Sequence, residues 1–127
     1  MKSDSTVLLV DDSKELLQVY STVLVDEGYN VLTASDAKHG LQLIRENGDK
    51  IGLVLLDCFM PMMDGEEFIK ELKKSSPEFY ERTPIYGFSC ASEEAPQMKR
   101  LLELVDGFFE KPDSFDDIVS FVEKNLD

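Results

Sequence analysis

Four short apolar runs, TVLLV at 6–10, GLVLL at 52–56, PIYGF at 84–88 and GFFE at 107–110, each end on residues with chemical capacity. Asp11 and Asp12 follow the first, Asp57 the second, Ser89 the third and Lys111 the fourth. An ionised aspartate at the end of so hydrophobic a segment as 53–56 is costly unless something pairs with it. If these run ends share one edge, they gather three carboxylates, a hydroxyl and an amine. Three carboxylates within a few ångströms repel one another, and a divalent cation relieves that repulsion. An all-oxygen set with few protein ligands suits Mg²⁺, which keeps waters and accepts a phosphate oxygen. An aspartate can itself be the nucleophile toward a phosphoryl group, forming an acyl phosphate. The cation and Lys111 would each take one phosphoryl oxygen and the Ser89 hydroxyl a third, so one chemistry, phosphoryl transfer, uses every residue of the set.

The elements that would position these residues alternate strictly. Thr6–Val10 reads as a strand, and Leu16, Leu17, Tyr20, Val23 and Leu24 mark one helix face, with Gly28 as a stop. Asn30–Ala34 reads as a second strand, followed by a helix carrying Ala37, Leu41 and Ile44 and ending near Asn47-Gly48. Gly52–Leu56 is the third strand, and Phe68, Ile69 and Leu72 give the third helix. Pro84–Phe88 is the fourth strand, and Met98, Leu101, Leu102 and Val105 a fourth helix with Pro96 in its first turn. Gly107–Glu110 is the fifth strand, and Phe115, Ile118, Val119 and Val122 the last helix, capped by Asp113 or Ser114. Five near-continuous apolar strands alternating with five helices predict a parallel sheet covered on both faces, a three-layer α/β sandwich. In such sheets ligands bind at the carboxyl ends of the strands, which is where the polar set falls.

The chain has 127 residues, enough for one core and too few for two, so a single domain over 1–127 is expected. Thirteen basic against 26 acidic residues leave a net charge of −13, which argues against nucleic-acid and anionic-membrane partners. Neither a membrane span nor a secretion signal is visible, so a cytoplasmic protein is expected. Cys58 and Cys90 do not make a disulfide framework or a zinc spacing, and His39 reads as an exposed helix residue. No GxxxxGK or GxGxxG is present for a nucleotide.

The set VDDS at 10–13, LLDCFMPMMDG at 55–65, FSCAS at 88–92 and FFEKP at 108–112 resembles the receiver domain of two-component response regulators. The likeness runs the length of the chain. It implies a sheet of order 2-1-3-4-5 with five helices. It implies Asp57 as phosphoacceptor from a phosphohistidine on a histidine kinase or phosphotransfer protein. Asp12 would then be a direct Mg²⁺ ligand, Asp11 would act largely through water, and the Phe59 backbone carbonyl would be the remaining protein ligand beside Asp57. Ser89 would be the switch hydroxyl, Lys111 the phosphate-binding lysine, and Phe108 the aromatic that turns inward with the switch. Self-phosphotransfer and autodephosphorylation without turnover of a free substrate are implied. Signalling would go to a downstream protein through the face of the last two strands and last two helices, residues about 88–122. With only Asn125-Leu126-Asp127 after the last helix, no output domain is expected.

The sequence departs from the family pattern at Phe59, bulky beside the acceptor, at Cys90 in place of a smaller residue, and at Asp113 after Lys-Pro. The switch aromatic is Phe rather than Tyr. Three other readings compete. A haloacid-dehalogenase-type phosphohydrolase would need a second Asp where Phe59 stands. A flavodoxin-like cofactor binder would need a phosphate cradle after the first strand, where the chain is acidic instead. A degenerate receiver used only for binding fits poorly with the intact Asp12, Asp57, Ser89 and Lys111. For Asp11-Asp12 taken alone, helix N-capping is the plain alternative.

Overall fold

The computed structural model describes residues 5–57, 65–89, 96–110 and 115–126. Within them lie five strands, β1 (Thr6–Val10), β2 (Asn30–Ala34), β3 (Ile51–Leu56), β4 (Ile85–Ser89) and β5 (Gly107–Glu110). Between and after them come α1 (Lys14–Asp26), α2 (Ala37–Asn47), α3 (Gly65–Ser75), α4 (Pro77–Arg82), α5 (Pro96–Leu102) and α6 (Phe115–Asn125). The strands form one parallel sheet of order β2-β1-β3-β4-β5, the order implied by the resemblance.

Alternation along the central strands divides the core between two faces. Leu8, Val10, Val54, Leu56 and Ile85 pack with Leu41 and Ile44 of α2, Phe68, Ile69 and Leu72 of α3 and Leu101 of α5. Val7, Leu9, Leu53, Leu55 and Phe88 pack with Leu17, Tyr20 and Leu24 of α1 and Ile118 and Val122 of α6. Strands β1 and β3 have no wet face, which is why they read as unbroken apolar runs.

The helix ends follow local chemistry. Ser13 caps α1 by accepting the Leu16 N–H at 3.2 Å, and Asp36 caps α2 by accepting the His39 N–H at 2.7 Å. Beyond α1 the chain turns through Gly28 at φ 96°, a left-handed conformation that glycine adopts without a Cβ penalty. His39 is exposed on α2, as expected.

The helix count differs from the expected five: α4 is a sixth. Pro77 has no N–H to continue α3 and disfavours helical geometry at Ser76, so α3 stops and a new helix starts with Pro77 in its first turn. Its six residues are too few for a 3.6-residue period to show in the sequence. Boundaries moved slightly elsewhere. Strand β4 starts at Ile85 rather than Pro84, and α5 ends at Leu102, leaving Val105 in the turn before β5. The expected cap of the last helix, Asp113 or Ser114, lies outside the described residues.

Candidate functional site

Backbone pairing brings the acidic residues together. Val10 lies opposite both Ala34 and Leu56. One residue further, the Asp11 N–H donates to Ala34 O at 3.0 Å and the Asp57 N–H to Val10 O at 2.8 Å. The ladder thus runs one step past each strand end and fixes Asp11 and Asp57 on the centre of the carboxyl edge. Asp12 follows on the way into α1. One carboxylate oxygen from each of Asp11, Asp12 and Asp57 lies within 4.8 Å of the others. Asp11 and Asp57 are buried, at 3% and 5% exposure, while Asp12 is exposed.

Asp11 is held in orientation by the chain itself. Its Oδ1 accepts the Ser13 N–H at 2.9 Å, a turn closed within two residues. The helix-capping alternative for Asp11-Asp12 therefore fails, because the Ser13 hydroxyl is the cap. In the sequence Ser13 stands only as the last residue of VDDS, with no role of its own. The Asp-x-Ser spacing before a helix is the signal that points to it.

The register extends the edge to the other expected residues. Leu56 lies opposite Gly87, so β4 passes Asp57 and ends at Ser89. Ser89 lies opposite Glu110, and Gly87 opposite Phe108. Phe108 is half-buried and packs against the core of the face that carries α2, α3 and α5. Asp11, Asp12 and Asp57 are thus assembled, and Ser89 and Phe108 sit on the two strands beside them. Phe59 and Lys111 lie outside the described residues, as do Cys58, Cys90 and Asp113.

The donor set fits a hard divalent cation. Three carboxylate oxygens, two from buried residues, concentrate negative charge that Mg²⁺ would offset while keeping positions for water or phosphate oxygens. Among the described residues the cluster holds no nitrogen or sulfur ligand of the kind that favours zinc.

A family model described as "Response regulator receiver domain" matches residues 7–123. The chain belongs to that family. This receiver, of the kind used in two-component systems, shares its fold with chemotaxis protein CheY4 of Vibrio cholerae. The TM-score is 0.82 at 28% identity, covering 98% of this chain and 100% of that one. A CheY-like receiver domain protein of Methanospirillum hungatei superposes with a TM-score of 0.76 at 26% identity, over 97% and 92% of the two chains. In sequence the receiver is 33% identical over 106 residues to the transcriptional regulatory protein CpxR of Klebsiella pneumoniae. That alignment takes in 84% of this chain but 42% of CpxR, so the receiver spans less than half the length of this curated relative. Among the described residues no helix is long and apolar enough to cross a membrane.

Proposed function

We propose that this receiver takes a phosphoryl group from the phosphohistidine of a histidine kinase or phosphotransfer protein onto Asp57, with Mg²⁺ as cofactor. The single observation that carries the reading is the meeting of Asp11, Asp12 and Asp57 oxygens within 4.8 Å at the carboxyl edge. In the transfer, an Asp57 oxygen attacks phosphorus, the P–N bond breaks, and its electron pair leaves on the imidazole nitrogen. The product is an acyl phosphate on the receiver and a free histidine on the donor.

The chain's own residues divide the work. The hydrophobic strand β3 and the Asp57 N–H bond to Val10 O hold the nucleophile against the edge. Asp11, oriented by the Ser13 N–H, would join Asp12 and Asp57 in holding the cation, and the Phe59 backbone carbonyl is assigned as the remaining ligand by the family resemblance. Bound there, Mg²⁺ supplies charge neutralisation for the phosphoryl oxygens. Lys111 and Ser89 are assigned the remaining oxygens, and Ser89 with Phe108 the switch that alters the face formed by β4, α5, β5 and α6. The receiver acts on itself rather than turning over a free substrate. Its output is a contact with a downstream protein in the cytoplasm, without nucleic acid or membrane.

Incubating the protein with acetyl phosphate and Mg²⁺ tests this. Intact mass should rise by one phosphoryl group, and the gain should vanish with EDTA and in Asp57→Asn. Labelling that survives Asp57→Asn would overturn the assignment.

A further inference from the structure

Glu66 stands in the first turn of α3, on the helix that follows the phosphoacceptor loop. Its carboxylate meets two cations from different elements. Oε2 lies 2.9 Å from Lys70 Nζ, one turn along α3, and Oε1 accepts the Arg100 Nε–H at 2.7 Å. The Lys70 pair lies within one helix, but Arg100 belongs to α5, so the second bond crosses between helices. Both ion pairs thus converge on one carboxylate. The hydrogen bonds from Lys70 and then Arg100 hold the Glu66 carboxyl below its ordinary range, so it is ionised at neutral pH.

Position gives the crossing bond its interest. Helix α5 has seven residues and follows the segment after Ser89, and among its described side chains Leu101, next to Arg100, is buried in the core. A helix of only seven residues depends more on its tertiary ties than a long one does.

We infer that Glu66 is a latch, holding α5 on α3 through Arg100 and so favouring the conformation described here over the alternative that the receiver adopts on switching. This rests on the proposed function, in which the face carrying α5 moves. Any displacement of α5 along α3 must part Arg100 from Glu66, so the bond contributes to one state only, which is the condition for shifting a two-state population. Lys70 helps keep the carboxylate charged but, one turn along the same helix, does not itself tie the helices. Both cations are largely exposed, at 65% and 58%, so the bias amounts to about two- to fivefold in the equilibrium.

Two measurements on Glu66→Gln, Arg100→Gln, Lys70→Gln and the Glu66→Gln/Arg100→Gln double variant test the latch. The first is amide hydrogen exchange over 96–102 in the unphosphorylated protein. Exchange should rise about two- to fivefold in Glu66→Gln and Arg100→Gln, with the double variant no faster than the faster single one. Lys70→Gln should change it less than Arg100→Gln. The second is the rate of Asp57 labelling by acetyl phosphate, which should rise by a similar factor in the same two variants. Unchanged exchange in Arg100→Gln, or equal effects of Lys70→Gln and Arg100→Gln, would overturn the latch even if Asp57 is labelled normally. Faster exchange in an unlabelled protein would support the tie while refuting the phosphorylation reading.

Discussion

Asp11 and Asp57 are almost wholly buried, yet their carboxylates share a space 4.8 Å across with that of Asp12. At such separations and an effective dielectric near 20, each like-charge pair costs about 3–4 kcal/mol before solvent screening at the exposed Asp12. The apolar strand packing behind them holds the charges together against this. Asp57→Asn removes one charge at nearly constant shape. In Mg²⁺-free buffer it should therefore raise the urea midpoint. Mg²⁺ should raise the wild-type midpoint by mass action and shift Asp57→Asn and Asp11→Asn less. A midpoint that falls in Asp57→Asn without Mg²⁺ would show that the charges do not conflict as the geometry implies. The three aspartates could be read from sequence because each ends an apolar run. The bond from the Ser13 N–H to Asp11 could not, because it depends on how the chain turns into α1.

Helix α4 shows why short elements escape a sequence reading. SPEFYER carries the right start signal in Ser76-Pro77, but only Phe79 is buried, and one buried residue defines no face. Its role comes from tertiary contacts. Phe79 enters the core, and the Tyr80 hydroxyl donates to Leu104 O in the turn leading to β5. Burial and then the nearby Asp106 carboxylate push the Tyr80 phenol above its ordinary range. A raised folded-state pKa means that this stabilisation is complete below the unfolded value of about 10 and is lost as pH rises through the folded value. Tyr80→Phe should cost about 0.5–1.5 kcal/mol at neutral pH and flatten the alkaline decline of the urea midpoint. Gly40 poses the opposite problem, a helix breaker inside α2. A Cβ there would lie 3.2 Å from both Phe68 Cε2 and Val10 Cγ2. Gly40→Ala gains about 1 kcal/mol of helix propensity but overpacks a buried junction at about 1–3 kcal/mol. The urea midpoint should fall, and a rise would show that the α2–α3 junction can open at little cost.

For the molecule as a whole, strict strand–helix alternation was enough to give the parallel sheet and its double cover. The strand order was not in the periodicity; it came with the family resemblance, and the register of β1 against β2 and β3 bears it out. Helix-to-helix ties such as Arg100–Glu66 stayed hidden, since residues 34 apart leave no spacing signal. Charge sets one property of the entire chain. With 26 acidic and 13 basic residues, the folded state concentrates a net −13, and self-repulsion opposes compaction. Ion pairs such as those of Glu66 with the exposed Lys70 and Arg100 pull the other way. Salt weakens both effects, so the sign of its action reveals which is larger. Repulsion from a net charge of −13 outweighs surface pairs of this kind, worth about 0–1 kcal/mol each. Adding NaCl at neutral pH without Mg²⁺ should therefore raise the urea midpoint. The rise should be steeper in Glu66→Gln, which has lost the pairs that salt would weaken. A midpoint that falls with NaCl would mean that specific pairing, rather than net charge, governs the stability of this receiver.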